Sequence, residues 1–116
     1  MWLTGNLQIW LYSKPTDMRR SIDGLSTIVS EQLELNPCSS GVFVFYNNYR
    51  DKIKILYYDN NGFCLWYKRL EKGRFIIPKI QDQTYMLSTE KLRWLLDGLC
   101  IEALHGNPKL FFDTYY

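Results

Sequence analysis

The sequence predicts an α+β fold: an antiparallel meander sheet of about four to six short strands with two main helices, in a single layer pair. Three observations carry this prediction. The runs VFVFY, KIKILYY and FCLWYKR are rich in β-branched and aromatic residues, and only the short segments NNYRD and DNNG separate them. Connections that short join antiparallel neighbours. Two other stretches repeat apolar residues every three or four positions, the period of a helix with one buried face.

Taken in chain order, Leu7 to Tyr12 reads as a first strand, ended by Lys14-Pro15. A helix is expected next, capped by Thr16 or Asp17, with Met18, Ile22, Leu25, Val29 and Leu33 on its apolar face. Pro37, Ser39 and Ser40 mark a loop before Gly41. The three meander strands then run over Val42–Tyr46, Lys52–Tyr58 and Phe63–Arg69. Alternation puts Ile53, Ile55 and Tyr57 on one face of the second, and Lys52, Lys54, Leu56 and Tyr58 on the other. Because both faces carry apolar residues, part of the second face is expected to be covered. Arg74 to Ile77 is a candidate short strand stopped by Pro78, and Thr84 to Leu87 another. Ser88 should cap the second helix, with Leu92, Leu95, Leu96 and Leu99 inward and Gly98 near its end.

A chain of 116 residues fits a single domain. Its core is expected over residues 7–99. The aromatic segment 100–116 reads as a tail that docks on this domain or on a partner. Three cysteines without a CxxC pair give neither a disulfide framework nor a zinc site, and suit a reducing, cytoplasmic setting. The apolar N-terminus lacks a basic leader region, so it is not read as a signal peptide. No run approaches the length of a membrane span.

No catalytic group, metal site or cofactor is expected. His105 is the only histidine, and neither a P-loop nor a GxGxxG pattern occurs. Asp17, Asp23, Asp51 and Asp59 are the carboxylates that a metal-dependent nuclease would need. Asp17 is explained more simply as a helix cap and Asp59 as a turn former.

Charge is the positive signal. Eight basic and three acidic residues between Arg50 and Lys79 give that stretch +5, and the remainder of the chain −3. Basic side chains neutralise phosphates, and exposed aromatics stack on unpaired bases. The plain alternative is a solvated sheet edge on which lysines oppose aggregation.

The segments PTDMRRSIDGL (Pro15 to Leu25) and SGVFVFYNNYRDKIKILYYDNNGFCLWYKRLEKGRF (Ser40 to Phe75) resemble a known family. It is that of the TnpB, or Orf2-like, accessory proteins of the insertion-sequence-66 family of bacterial transposable elements. The resemblance covers about residues 7–99. It implies a non-catalytic accessory factor in DNA transposition, working beside a larger transposase that cuts the strands. The partners it implies are that transposase and, through element ends, DNA. A protein–protein adaptor or homodimer is the alternative, and a metal-dependent nuclease a distant third. The binding residues expected from the resemblance and from the charged hairpin are Asp17, Arg19, Arg20, Lys52, Lys54, Trp66, Lys68, Arg69, Lys72 and Arg74. The sequence from Cys100 onward departs from the family pattern, which turns basic or stops there.

Overall fold

The computed structural model describes residues 7–103. Its elements in chain order are β1 (Ile9–Tyr12), α1 (Ile22–Thr27) continuing as a π-helical turn (Ile28–Gln32), β2 (Val42–Tyr46), β3 (Lys52–Asp59), β4 (Gly62–Arg69), β5 (Thr84–Leu87) and α2 (Thr89–Leu96). The five strands form one sheet in the order β4-β3-β2-β1-β5.

The α+β class and the β2-β3-β4 meander are as the sequence predicts. Two features differ. The sheet is mixed: β1 lies parallel to β2, with Ile9 opposite Val42 and Leu11 opposite Val44. Helix α1 spans the crossover that parallel neighbours require. Strand β1 is also antiparallel to β5, so it lies inside the sheet and not at its edge.

The second difference is that cover on the second face, expected in part, makes layers on both sides of the sheet and not a single layer pair. One face carries Ile9, Leu11, Val44, Ile53 and Ile55, packed with Leu92 and Leu95 of α2 and with Phe75. The other carries Tyr12, Phe43, Phe45 and Leu56, packed with Leu25 and Val29 from the first helical segment. All five residues of β2 are buried, as a central strand between two layers requires. Each large apolar side chain buried this way contributes about 1.5–3 kcal/mol. Across β1 and β2 the rings of Trp10 and Phe43 stack with centroids 5.3 Å apart. Gly41 makes room for this stack, because a Cβ there would lie 2.4 Å from Trp10 Cζ3.

The first helix begins at Ile22, after Ser21, and not at Thr16 or Asp17. Asp17 instead accepts from the Arg19 backbone N–H at 2.9 Å, closing a turn of its own. The carbonyls of Met18 and Arg20, which a longer helix would use, accept from Lys54 Nζ. Further along, the hydroxyls of Ser26, Thr27 and Ser30 bond back to the carbonyls of Ile22, Asp23 and Ser26. Such back-bonding competes with the backbone ladder and bends helices. It accompanies the widening to the Leu33 N–H to Ile28 carbonyl bond.

Helix α2 follows the sequence reading closely. Ser88 Oγ accepts from the Lys91 N–H at 3.1 Å. Gly98 takes φ of +81°. The Gly98 and Leu99 N–H groups bond to the carbonyls of Leu95 and Trp94, the pattern of a Schellman end. Residues 74–77 are not a strand. The Phe75 N–H is taken by the Arg50 carbonyl at 2.6 Å, and the side chain is buried at 1% exposure. Ile101 is also buried. The expected aromatic tail and His105 otherwise lie outside the described residues from 104 onward.

Candidate nucleic-acid interface

Two sequence-distant segments meet at one end of the sheet. The first is the turn over residues 15–20. Its backbone is held by the Thr16 N–H to Tyr46 carbonyl bond at 2.8 Å. Lys54 Nζ, rising from β3, donates to the carbonyls of Met18 at 2.7 Å and Arg20 at 2.8 Å. Lys54 is therefore a tether for this turn.

The second segment is the β2–β3 turn, Asn47 to Asp51. The Asn47 side-chain oxygen accepts from the Asp51 and Lys52 N–H groups, and its amide donates to Asp51 Oδ1 at 2.7 Å. The loop after β4 braces this turn, with the Leu70 N–H donating to Asp51 and the Phe75 N–H to Arg50. Arg50 takes φ of +65°, a left-handed conformation uncommon for a residue other than glycine or asparagine.

Between them lies an open cleft of about 770 Å³, lined by Pro15 to Arg19, Asn47 to Tyr49, Lys52 and Tyr67. Tyr49 is 60% exposed and Tyr67 49%. A cation stands over each ring. The Arg74 guanidinium lies 4.1 Å from the Tyr49 centroid, and Lys54 Nζ 5.5 Å from that of Tyr67.

Several cations carry an acidic partner. Arg19 pairs with Asp17 at 2.6 Å, Lys52 with Asp51 at 3.2 Å, and Arg69 with Glu71 at 3.2 Å. The hydrogen bonds from the Arg19 side chain and backbone hold the Asp17 carboxyl well below its ordinary range, at about 2. The Asp51 carboxyl is lowered as well, first by the Asn47 amide and then by Lys52. Arg20, Arg50, Lys72 and Arg74 make no ion pair among the described residues.

The ten expected binding residues divide accordingly. Asp17, Arg19 and Lys52 line the cleft, with Lys54 and Arg74 behind its two tyrosines. Arg20 lines a smaller adjoining hollow, and Arg69 stands opposite Lys52 in the β3–β4 register. Lys72 is exposed in the loop after β4. Trp66 and Lys68 lie elsewhere. Trp66 is half-buried against the core on the α2 face. On that face too, Lys68 Nζ donates to the Leu96 carbonyl at 2.8 Å, closing the C-terminal end of α2. Tyr49 and Arg50 were not among the expected residues. The NNYRD turn was a signal for Tyr49 and Arg50, since an aromatic and a cation at a turn tip have little core to enter.

Asp17, Asp23 and Asp59 sit in the 15–20 turn, in α1 and at the end of β3. Among the described residues no three His, Cys, Asp or Glu side chains gather as a metal site. No helix among them is long and apolar enough to cross a membrane.

The chain folds as a small α+β domain with an open cleft of mixed charge rimmed by two exposed tyrosines. The chain belongs to the family described as IS66 Orf2 like protein, whose sequence model matches residues 7–106. Two proteins of Sinorhizobium fredii (strain NBRC 101917 / NGR234) are similar to it. Uncharacterized protein y4hO is 35% identical over 94 residues, 81% of this chain and 82% of that protein. Uncharacterized protein y4jC is 34% identical over 93 residues, 80% of each. No solved structure matches the chain. Family membership points to an accessory role in the movement of an insertion sequence.

Proposed function

We propose that this protein is a non-catalytic accessory factor of insertion-sequence transposition, that it acts in the cytoplasm, and that its cleft binds DNA of the element. One observation carries the reading. PTDMR, characteristic of the family resemblance, lines one open cleft together with Lys52 and Tyr67 of the charged hairpin. That cleft has cations on its walls and two exposed tyrosines at its rim.

Phosphate neutralisation releases counterions, so affinity should fall linearly on a log–log plot against salt. The test is a titration of element-end DNA at several salt concentrations. It uses the full chain and a variant with Arg19, Arg69 and Arg74 changed to alanine. Each lost phosphate contact should flatten the slope by roughly 0.9. Binding that ignores salt, or a triple variant with unchanged slope, refutes the reading. Lys68 is left out of the variant because its ammonium closes α2.

A second reading, docking on the element's transposase, is favoured by the three ion pairs around the cleft. A surface bearing both signs of charge suits a protein partner better than a polyanion. Capture of the purified transposase by the full chain, without DNA, tests it. Absence of capture at low salt removes it.

A further inference from the structure

We infer that the cleft takes unpaired DNA, with bases stacked on Tyr49 and Tyr67. This rests on the DNA-binding reading above and names the form of DNA that the site accepts.

Four observations converge. The first is the pair of rings. Tyr49 comes from the β2–β3 turn and Tyr67 from β4, yet both line one cleft while roughly half or more of each residue stays open to solvent. A tyrosine ring left open to solvent offers an amphipathic face to a partner. Every base has a π-face, and stacking on an aromatic ring needs no particular sequence.

The second is preorganisation. Arg74 and Lys54 cover part of each ring and hold its orientation. The turn beneath Tyr49 is fixed by three hydrogen bonds of the Asn47 side chain. A platform ordered beforehand loses little entropy when a base settles on it.

The third is Arg50. A left-handed φ of +65° is filled more readily by glycine or asparagine than by arginine. The arginine held there follows Tyr49 in the chain and makes no ion pair among the described residues, so its charge is available to a phosphate.

The fourth observation separates single strands from duplex. A duplex reader of the common kind inserts a helix that exposes its side chains to base edges. Here α1 has six residues, continues as a five-residue π-helical turn, and buries Leu25 and Val29. Helix α2 has eight, buries Leu92, Trp94, Leu95 and Leu96, and carries Glu90 in its first turn. Bases in a duplex already stack on one another and offer the tyrosines nothing. The open cleft of about 770 Å³ has room for a nucleotide-sized occupant.

The test measures fluorescence anisotropy of labelled oligo(dT) and of a labelled duplex of mixed sequence with the full chain, at low and moderate salt. Oligo(dT) should bind at least tenfold more tightly than the duplex. Y49A and Y67A should each weaken oligo(dT) binding about tenfold or more, with urea midpoints confirming that they fold. Y49F and Y67F should restore most of what the alanines lose, because the ring remains. R50G should melt no earlier than the parent yet bind more weakly, with a flatter salt slope. Duplex bound as tightly as oligo(dT) overturns the inference and leaves the DNA reading standing. Alanine variants that fold and bind oligo(dT) unchanged also overturn it. Failure to bind either DNA at low salt removes both.

Discussion

Replacing Lys54 by methionine should loosen the protein and open its cleft together. The ammonium donates to the carbonyls of Met18 at 2.7 Å and Arg20 at 2.8 Å, across 36 and 34 residues of chain. Methionine keeps the apolar stem and deletes only the charged donor. A hydrogen bond from a charged group contributes about 1.5–3 kcal/mol. Both carbonyls sit in a surface turn, so water can replace part of what they lose. The net loss for the pair is then about 2 kcal/mol, with a few tenths more from the cation over Tyr67. Unfolding entropy of about 2.1 cal/mol/K per residue, applied to the 116 residues, converts that to a fall in Tm of roughly 8 °C. The assay is paired thermal and urea melts, read with oligonucleotide titrations. Because the 15–20 turn is one wall of the cleft, affinity should fall by more than one lost phosphate contact explains. A K54M variant melting within about 2 °C of the parent refutes the tether. A normal melt with a salt slope for oligo(dT) flatter by about 0.7 would instead make Lys54 a direct contact.

Three further outcomes follow from particular contacts. K68M removes the cap on the Leu96 carbonyl and should lower the urea midpoint by the equivalent of about 1–2 kcal/mol, while leaving the salt slope of DNA binding alone. An unchanged midpoint refutes the capping role. The Asp17 carboxyl should titrate near 2 by NMR, and R19Q should return it toward 3.8. Its folded value is depressed, so its contribution to stability is complete above about pH 3.8 and is lost as pH falls through about 2. A midpoint near 3.8 in the parent would mean the Arg19 pair does not form in solution. G41A should destabilise the protein by about 1–3 kcal/mol and perturb the Trp10 fluorescence, since the new Cβ lies 2.4 Å from Trp10 Cζ3. A melt equal to the parent's would show that the Trp10 ring yields freely.

The local elements follow from the sequence alone. Alternation in KIKILYY put Ile53 and Ile55 on one face and Lys54 and Leu56 on the other, as observed. Ser88 and Gly98 marked the ends of α2 because capping is a contact among near neighbours. The wording of PTDMR and KRLEKGRF carried the family. What lay beyond was decided by partners distant in the chain. Whether β1 sits at an edge or between β2 and β5 depends on which strands reach it, and its four residues do not encode that. The charge pattern showed eight cations between Arg50 and Lys79, but not their uses. Lys54 and Lys68 find backbone carbonyls 28 to 36 residues away and become struts, while Arg74 stands over Tyr49. A lysine's type fixes that it must donate; only the packed chain decides to what. For the same reason PTDMR, read as a helix start, became a turn. The carbonyls of Met18 within it and of Arg20 just after it accept from Lys54 of β3.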